Sequence, residues 1–342
     1  MSSAKITLQV IADQLKVSKT LVSRALLGKY GVSDEMRKNI LRTAIELGYP
    51  LPAKTKGSAA DLTRNIAIVI PRSFLSDLSY WGAVLSALEA ELQQEGYCMI
   101  LAPVGPEIEE AELPTSIKER KVDGVFLLGN VADSLNVQII NTGLPVVMVD
   151  GHSSHDLKID HVLADNFNGM ADMTTYVLQA GHRRVAYIGD PAFSLSFAER
   201  LRGFQFAVNH FANEQNVINT TVISDISGEH NINNLEQALN ILLSAPIKPT
   251  AVLCANDSIA INLLLALKSR GLKCPEDISV TGFDNINSSE PYALASVDAG
   301  KQDIAAHAVQ LLMQRMHHRQ RRPCTLYVTT ELVDRRSIAK ID

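Results

Sequence analysis

The sequence predicts a small all-α headpiece joined by a linker to a two-lobed body of parallel α/β architecture. Residues 7–26 fall into two short amphipathic segments separated by a tight turn, and from Ile66 onward short apolar runs alternate with helix-length segments. The charge also divides along the chain: residues 1–64 hold 11 Lys+Arg against 5 Asp+Glu, a net of +6, and the remainder holds 21 against 32, a net of −11. The total of −5 over 342 residues therefore hides a basic head on an acidic body. A chain this long exceeds what one core serves, which fits a small module plus a split larger domain.

In the headpiece, Thr7 is placed to cap a first helix with Leu8, Ile11, Ala12 and Leu15 at helical spacing. Ser18 caps a second, which turns Val22, Ala25 and Leu26 inward and leaves Lys19, Thr20, Ser23 and Arg24 outward. This is a helix-turn-helix, whose second helix fits the major groove of a DNA duplex. Arg24 has the planar fork that takes guanine N7 and O6, Lys19 reaches guanine or phosphate, and the hydroxyls serve base edge or backbone. A third helix, capped by Ser33 with Asp34 and Glu35 in its first turn, presents Met36, Ile40, Leu41, Ala44 and Ile45 to close the small core. An unrelated helical hairpin with basic residues on its wet face is the alternative reading of the pair alone. The headpiece spans residues 1–49, and the Pro-, Gly-, Ala- and Ser-rich stretch 50–64 is the linker.

The body, 65–342, opens with the run Ile66–Ile70, a helix over Trp81–Glu95 and a second run, Tyr97–Leu101, which is the parallel strand–helix–strand unit. Further strands are expected at Gly124–Leu128, Pro145–Val149, Val162–Ala164, Val185–Ile188, Thr221–Ile223, Ala251–Cys254, Ser279–Gly282 and Thr325–Thr329. So many strands divide most economically into two lobes with a cleft between them, and the carboxyl ends of parallel strands are where small ligands bind.

Several function classes are disfavoured. Cys98, Cys254, Cys274 and Cys324 stand far apart, as reduced thiols do, and no secretory signal or apolar run near 20 residues is present, so a soluble cytoplasmic protein without a membrane partner is expected. His152, His155 and His161 near Asp150, and the pair His317-His318, lack the i, i+4 spacing of a helical metal site, so neither metal nor cofactor is expected. The first strand ends Ile70-Pro-Arg-Ser73 rather than in a Gly-x-Gly-x-x-Gly turn, and no nucleophile–base set is legible; no enzyme and no catalytic residue are predicted. A sugar-binding transport protein is disfavoured by the headpiece and the missing export signal.

Val17-Ser-Lys-Thr-Leu-Val-Ser-Arg24, Glu46-Leu-Gly-Tyr49, Val122-Asp-Gly-Val125, Gly143-Leu-Pro-Val-Val147, Gly181-His-Arg-Arg-Val185, Arg200-Leu-Arg-Gly-Phe204, Ala255-Asn-Asp-Ser258, Asp277-Ile-Ser-Val280 and Gly282-Phe-Asp-Asn285 follow one another in order along the chain. Through them, from Thr7 to about Val333, the sequence resembles the lactose/galactose repressor (LacI/GalR) family of bacterial transcription regulators. The resemblance implies a periplasmic-binding-protein-like body, a symmetric homodimer and a headpiece that binds a near-palindromic operator in double-stranded DNA. It also implies three crossings between the lobes, placing lobe one at about 65–164 and 293–322 and lobe two at about 165–292 and 323–340. No leucine heptad tail follows the last strand, so nothing suggests a tetramer.

A sugar effector needs carboxylates, a guanidinium, amides and an aromatic platform. By the family's pattern Arg200, Asn256 and Asp284 face the cleft from lobe two, with Ser196 four residues before Arg200, and Asp150 ends a lobe-one strand. Tyr80 and Trp81 occupy the aromatic positions after the first strand, although the loop Arg72–Ser79 is longer than usual. Each has a structural alternative: an Asp at a strand end, or Asn256-Asp257, fits a helix cap, and a helical Arg is commonly solvated. A purine effector fits the same Arg and Asp positions. Thr7, Ser18, Lys19, Thr20, Ser23, Arg24, Lys29, Lys54 and Ser58 form the DNA-contacting set. Ser58 stands, by an ungapped count, where relatives carry a minor-groove leucine in a hinge helix, and Lys16 stands where a turn glycine is common.

Overall fold

Ser18 and Ser33 each open a helix by accepting a backbone N–H, from Leu21 at 3.1 Å and from Met36 at 3.3 Å. In the computed structural model, which describes residues 6–26, 32–49, 62–75, 78–105, 112–152, 157–213, 216–227 and 232–341, the headpiece consists of α1 (Leu8–Leu15), α2 (Lys19–Leu26) and α3 (Asp34–Glu46). Ile11, Ala12, Val22, Ala25, Leu26, Ile40 and Ala44 form its buried core, as the apolar spacing requires. Thr7 departs from expectation: its hydroxyl makes no cap bond, and α1 starts on backbone bonds alone, Val10 N–H donating to Thr7 C=O at 3.1 Å. The turn before α2 is made by Lys16 in the left-handed region at φ 55°, a conformation costing a non-glycine residue roughly 1–2 kcal/mol. Arg37 of α3 donates to Ala25 C=O at 2.9 Å, satisfying a terminal carbonyl of α2 with a cation.

The body continues with β1 (Asn65–Pro71), a 3₁₀ turn (Arg72–Leu75), α4 (Trp81–Gln94), β2 (Cys98–Val104), the single turn α5 (Thr115–Lys118), β3 (Gly124–Leu128), α6 (Asp133–Asn141), β4 (Val146–Val149) and β5 (Asp160–Ala164). These strands form a parallel sheet in the order β5-β4-β3-β1-β2. The chain then enters lobe two through α7 (Asn166–Gln179), β6 (Arg184–Ile188), α8 (Leu195–Phe211), β7 (Asn219–Ile223), α9 (Ile232–Ser244), β8 (Ala251–Cys254), α10 (Asp257–Ser269) and β9 (Ser279–Thr281), whose parallel sheet runs β7-β6-β8-β9. A 3₁₀ segment (Asn287–Tyr292) leads to β10 (Ser296–Asp298), α11 (Lys301–His317), β11 (Thr325–Val328) and β12 (Glu331–Val333). β1, β3, β4 and β8 are near-continuous apolar runs, with a fully buried stretch in each, because helices cover both faces of each sheet.

Two boundaries differ from the sequence expectation. Residues 325–328 do not join lobe two: β11 pairs in parallel with β5, Thr325 opposite His161, and extends the first sheet. The reason is that α11 packs on α4, β4 and β5, and a strand a few residues after it returns to the sheet that helix covers. At the other end, Gly282 N–H donates to Ala295 C=O and Asp284 N–H to Val297 C=O, so residues 294–297 still belong to lobe two rather than to lobe one. β10 and β12 pair antiparallel as a two-stranded ribbon where the chain passes between lobes.

Candidate functional site

Every residue of the effector set except Ser196 and Arg200, which lie on α8, sits just beyond the carboxyl end of a strand or at the start of α4. Asp150 is the first residue after β4 and lies in the left-handed region at φ 46°. Tyr80, immediately before α4, donates its hydroxyl to Asp150 Oδ2 at 2.9 Å. Asp284, three residues past β9, is also left-handed at φ 97°, and Asn285 follows at φ 47°. Consecutive non-glycine residues there store strain of about 1–3 kcal/mol each, which surrounding bonds must offset.

Arg200 projects from the second turn of α8 and is 2% exposed. Its Nη2 meets Asp284 Oδ1 at 2.8 Å, its Nε donates to Asn166 Oδ1 at 2.9 Å, and its Nη1 donates to Ala255 C=O at 2.7 Å. The guanidinium lies 3.8 Å from the centroid of the Phe283 ring, beneath which it stacks. The fork is thus fixed on three edges and one face, which a lysine could not reproduce. Asp284 is itself held from behind, because the buried Lys301 ammonium donates to the carbonyls of Asp284 and Asn285 and pairs with Asp298 at 3.6 Å.

The electrostatics join the lobes. Burial raises the Asp150 carboxyl above its ordinary pKa, an effect opposed by Arg200 and reinforced by Asp284. Burial also raises Tyr80 well above the usual phenol range, with Asp150 and Asp284 adding to it, so the hydroxyl remains a donor. For Arg200 burial opposes the charge, but Asp284 and Asp150 more than offset it, and its pKa is raised. Two carboxylates, one guanidinium and a phenol therefore converge between the lobes, an arrangement that binds groups both donating and accepting hydrogen bonds.

The other predicted residues divide. Asn256 uses its carboxamide oxygen to cap α10, accepting from Ile259 N–H at 2.9 Å, which is the structural alternative raised by its position. Ser196 shares a hydrogen bond of 2.8 Å with Ser194, the cap of α8. Trp81 is 9% exposed, with Phe74 stacked on it at 5.0 Å between centroids and Tyr80 edge-on at 5.2 Å. In the headpiece Lys19, Thr20 and Arg24 are exposed on α2 and Ser23 is half-buried, while Thr7 is exposed; Ser18 Oγ is engaged as the cap. Lys29, Lys54, Ser58 and His155 lie outside the described residues.

Sequence reasoning missed four residues. Asn166 orients Arg200 and also donates to Glu199 at 3.4 Å, but beside the helix cap Asp165 it reads only as a helix start. Glu199 is buried, and its carboxyl is raised by that burial. Asp257 is fully buried, accepts from Ser296 Oγ at 2.6 Å and Ile286 N–H at 2.8 Å, and is pushed up to about 7 chiefly by desolvation. Gly282 is a glycine for its sake, since a Cβ there would stand 1.9 Å from Asp257 Oδ1. Lys301 lies 17 residues beyond Asp284, on the crossover, where no local pattern marks it.

A helix-turn-helix carried on a two-lobed body with polar groups converging between the lobes is an architecture that suits ligand-responsive DNA binding. Residues 174–338 match the family model of a periplasmic binding protein-like domain. The chain is 28% identical over 339 residues to the HTH-type transcriptional repressor PurR of Pasteurella multocida (strain Pm70), covering 97% of this chain and 98% of that protein. Its fold is similar to that of the lac repressor dimer bound to operator and the anti-inducer ONPF (TM-score 0.67, 22% identity, 98% and 100% of the two chains). The CelR transcriptional regulator in complex with cellobiose has a similar fold (TM-score 0.65, 23% identity, 97% and 99%). Along nearly its whole length the chain is similar in sequence to transcriptional repressors of the helix-turn-helix type, and it shares the fold of the lac repressor. Among the described residues no helix is long and apolar enough to cross a membrane.

Proposed function

We propose that the chain is a homodimeric repressor whose operator affinity is changed by a small uncharged sugar bound between Asp150, Tyr80, Arg200 and Asp284. The observation that carries this is the buried Arg200–Asp284 pair, fixed on lobe two and close enough to Asp150 of lobe one for their charges to couple. A sugar's adjacent hydroxyls satisfy both carboxylates as donors and the guanidinium as acceptors. Two carboxylates against one guanidinium disfavour a phosphorylated or acidic effector. The CelR relative carries cellobiose, which supports a sugar here. Operator reading is assigned to Lys19, Thr20, Ser23 and Arg24 of α2.

A nucleobase is the second reading, favoured by the partly exposed Phe74 ring, whose face can stack a planar base. The test is thermal unfolding of the full chain against neutral sugars, sugar phosphates and nucleobases, followed by mobility shift on operator DNA selected from a random pool. A neutral sugar that raises the unfolding temperature and changes DNA retention supports the proposal. Stabilisation by nucleobases alone transfers it to the second reading, and stabilisation by sugar phosphates alone overturns both.

A further inference from the structure

We propose that Phe74, not Trp81, is the aromatic surface that lobe one offers to a ligand in the cleft, which makes Phe74 a specificity-determining residue. The inference rests on the effector reading above for its ligand, but its geometry stands on the protein alone. Phe74 lies on the 3₁₀ turn that follows β1. Its ring stacks on Trp81 at 5.0 Å and 9°, while Tyr80 meets the indole edge-on, so Trp81 is buried and Phe74 remains partly exposed.

Phe74 also sits on the cleft edge of the sheet. Gly129, the first residue after β3, is left-handed at φ 62°, and a Cβ there would come within 2.3 Å of Phe74 Cε2 and 3.1 Å of Trp81 Cζ2. Gly129 N–H donates to Val149 C=O, the last residue of β4, which puts the ring one strand from Asp150. Strands lie roughly 5 Å apart, so Phe74 is within a sugar ring's reach of the Asp150 carboxylate. The next residue, Asn130, donates to the Phe193 C=O of lobe two at 3.4 Å, so both lobes meet at this edge. A ligand seated on Arg200, Asp284 and Asp150 thus finds the Trp81 face already taken, and its apolar face rests on Phe74.

Trp81 is the only tryptophan, so its fluorescence reads the cover directly. In the ligand-free full chain, Phe74→Ala is expected to raise the acrylamide quenching constant of Trp81 and shift its emission to longer wavelength, with Phe74→Leu intermediate. Melting curves identify any variant that fails to fold, in which case Phe74→Leu carries the comparison. Unchanged quenching in the folded variant overturns the proposal. For whichever neutral sugar or nucleobase stabilises the unmodified chain, Phe74→Ala should weaken binding about tenfold, while Phe74→Tyr preserves it. Equal affinity in Phe74→Ala, or a loss in Trp81→Phe as large as in Phe74→Ala, overturns the ligand-facing assignment. If no compound stabilises the unmodified chain, the effector reading fails and that assignment fails with it, whereas quenching still decides the cover.

Discussion

Arg200 and Asp284 form an ion pair of 2.8 Å in which both side chains are buried, and the carboxylate is delivered to it by a backbone φ of 97°. Among the described residues neither partner makes a second ion pair, so each depends on the other. Arg200→Ala leaves the Asp284 carboxylate buried without its cation, and breaking such a pair costs about 3–5 kcal/mol. Urea unfolding should show this loss, Arg200→Lys should recover little of it, and effector response should disappear while DNA binding persists.

Lys301 holds the left-handed turn from behind. Lys301→Met strands two backbone carbonyls and removes the cation from Asp298, which keeps its bonds from Asn285 and Gly300, at a cost of about 2 kcal/mol. Because the freed turn no longer presents Asp284 to Arg200, ligand affinity should fall with stability. A variant that loses neither, measured by denaturation and calorimetry, would show that the turn needs no support.

Asp257 predicts a pH dependence. Its folded-state pKa of about 7 lies above the ordinary carboxyl value, so between these two values the folded chain holds a proton that the unfolded chain has released. Stability therefore falls as pH rises from about 4 to about 7, by up to about 1.4 kcal/mol per pH unit. Asp257→Asn keeps an acceptor for Ile286 N–H and a donor for Ser296 Oγ, and should flatten that slope. His182, whose pKa burial lowers, acts in the opposite sense by losing stability as pH falls, so the measurement is the difference between the unmodified and Asp257→Asn unfolding curves.

Arg24 is exposed on α2 with no acidic residue in that helix. Arg24→Ala should weaken operator binding by about 1–3 kcal/mol and relax preference at one base position per half-site. Lys54→Ala should instead weaken all sequences alike and flatten the salt dependence. Equal losses on operator and random DNA for Arg24→Ala would remove it from base reading.

Ser58 provides a test of the hinge. If the ungapped count is right in setting Ser58 at the position of a wedging leucine, the complex should bend its operator weakly, and Ser58→Leu should increase both bending and affinity provided the segment can become helical. Circular-permutation assays decide it, and a strong bend by the unmodified chain points to Leu62 or Leu51 as the wedge.

What could be read from the chain by itself were the features written in local periodicity: α2 and α3 with their serine caps, the β3 run Gly124–Leu128 and the two-lobe division, because burial on a helix face or inside a sheet leaves a repeat in the residues themselves. The family motifs likewise carried Arg200, Asp284, Asp150 and Tyr80 to one cleft. Tertiary structure decided whatever depends on partners far apart in sequence. The strand β11 joined lobe one because α11 had already packed there, and Asn256 became a cap because Ile259 N–H was the donor within reach. Asn166, Lys301 and Asp257 took their roles from groups 34, 17 and 39 residues away. Trp81 lost its open face to a phenylalanine of its own loop. Such contacts are selected by three-dimensional proximity and desolvation, neither of which leaves a period in the sequence.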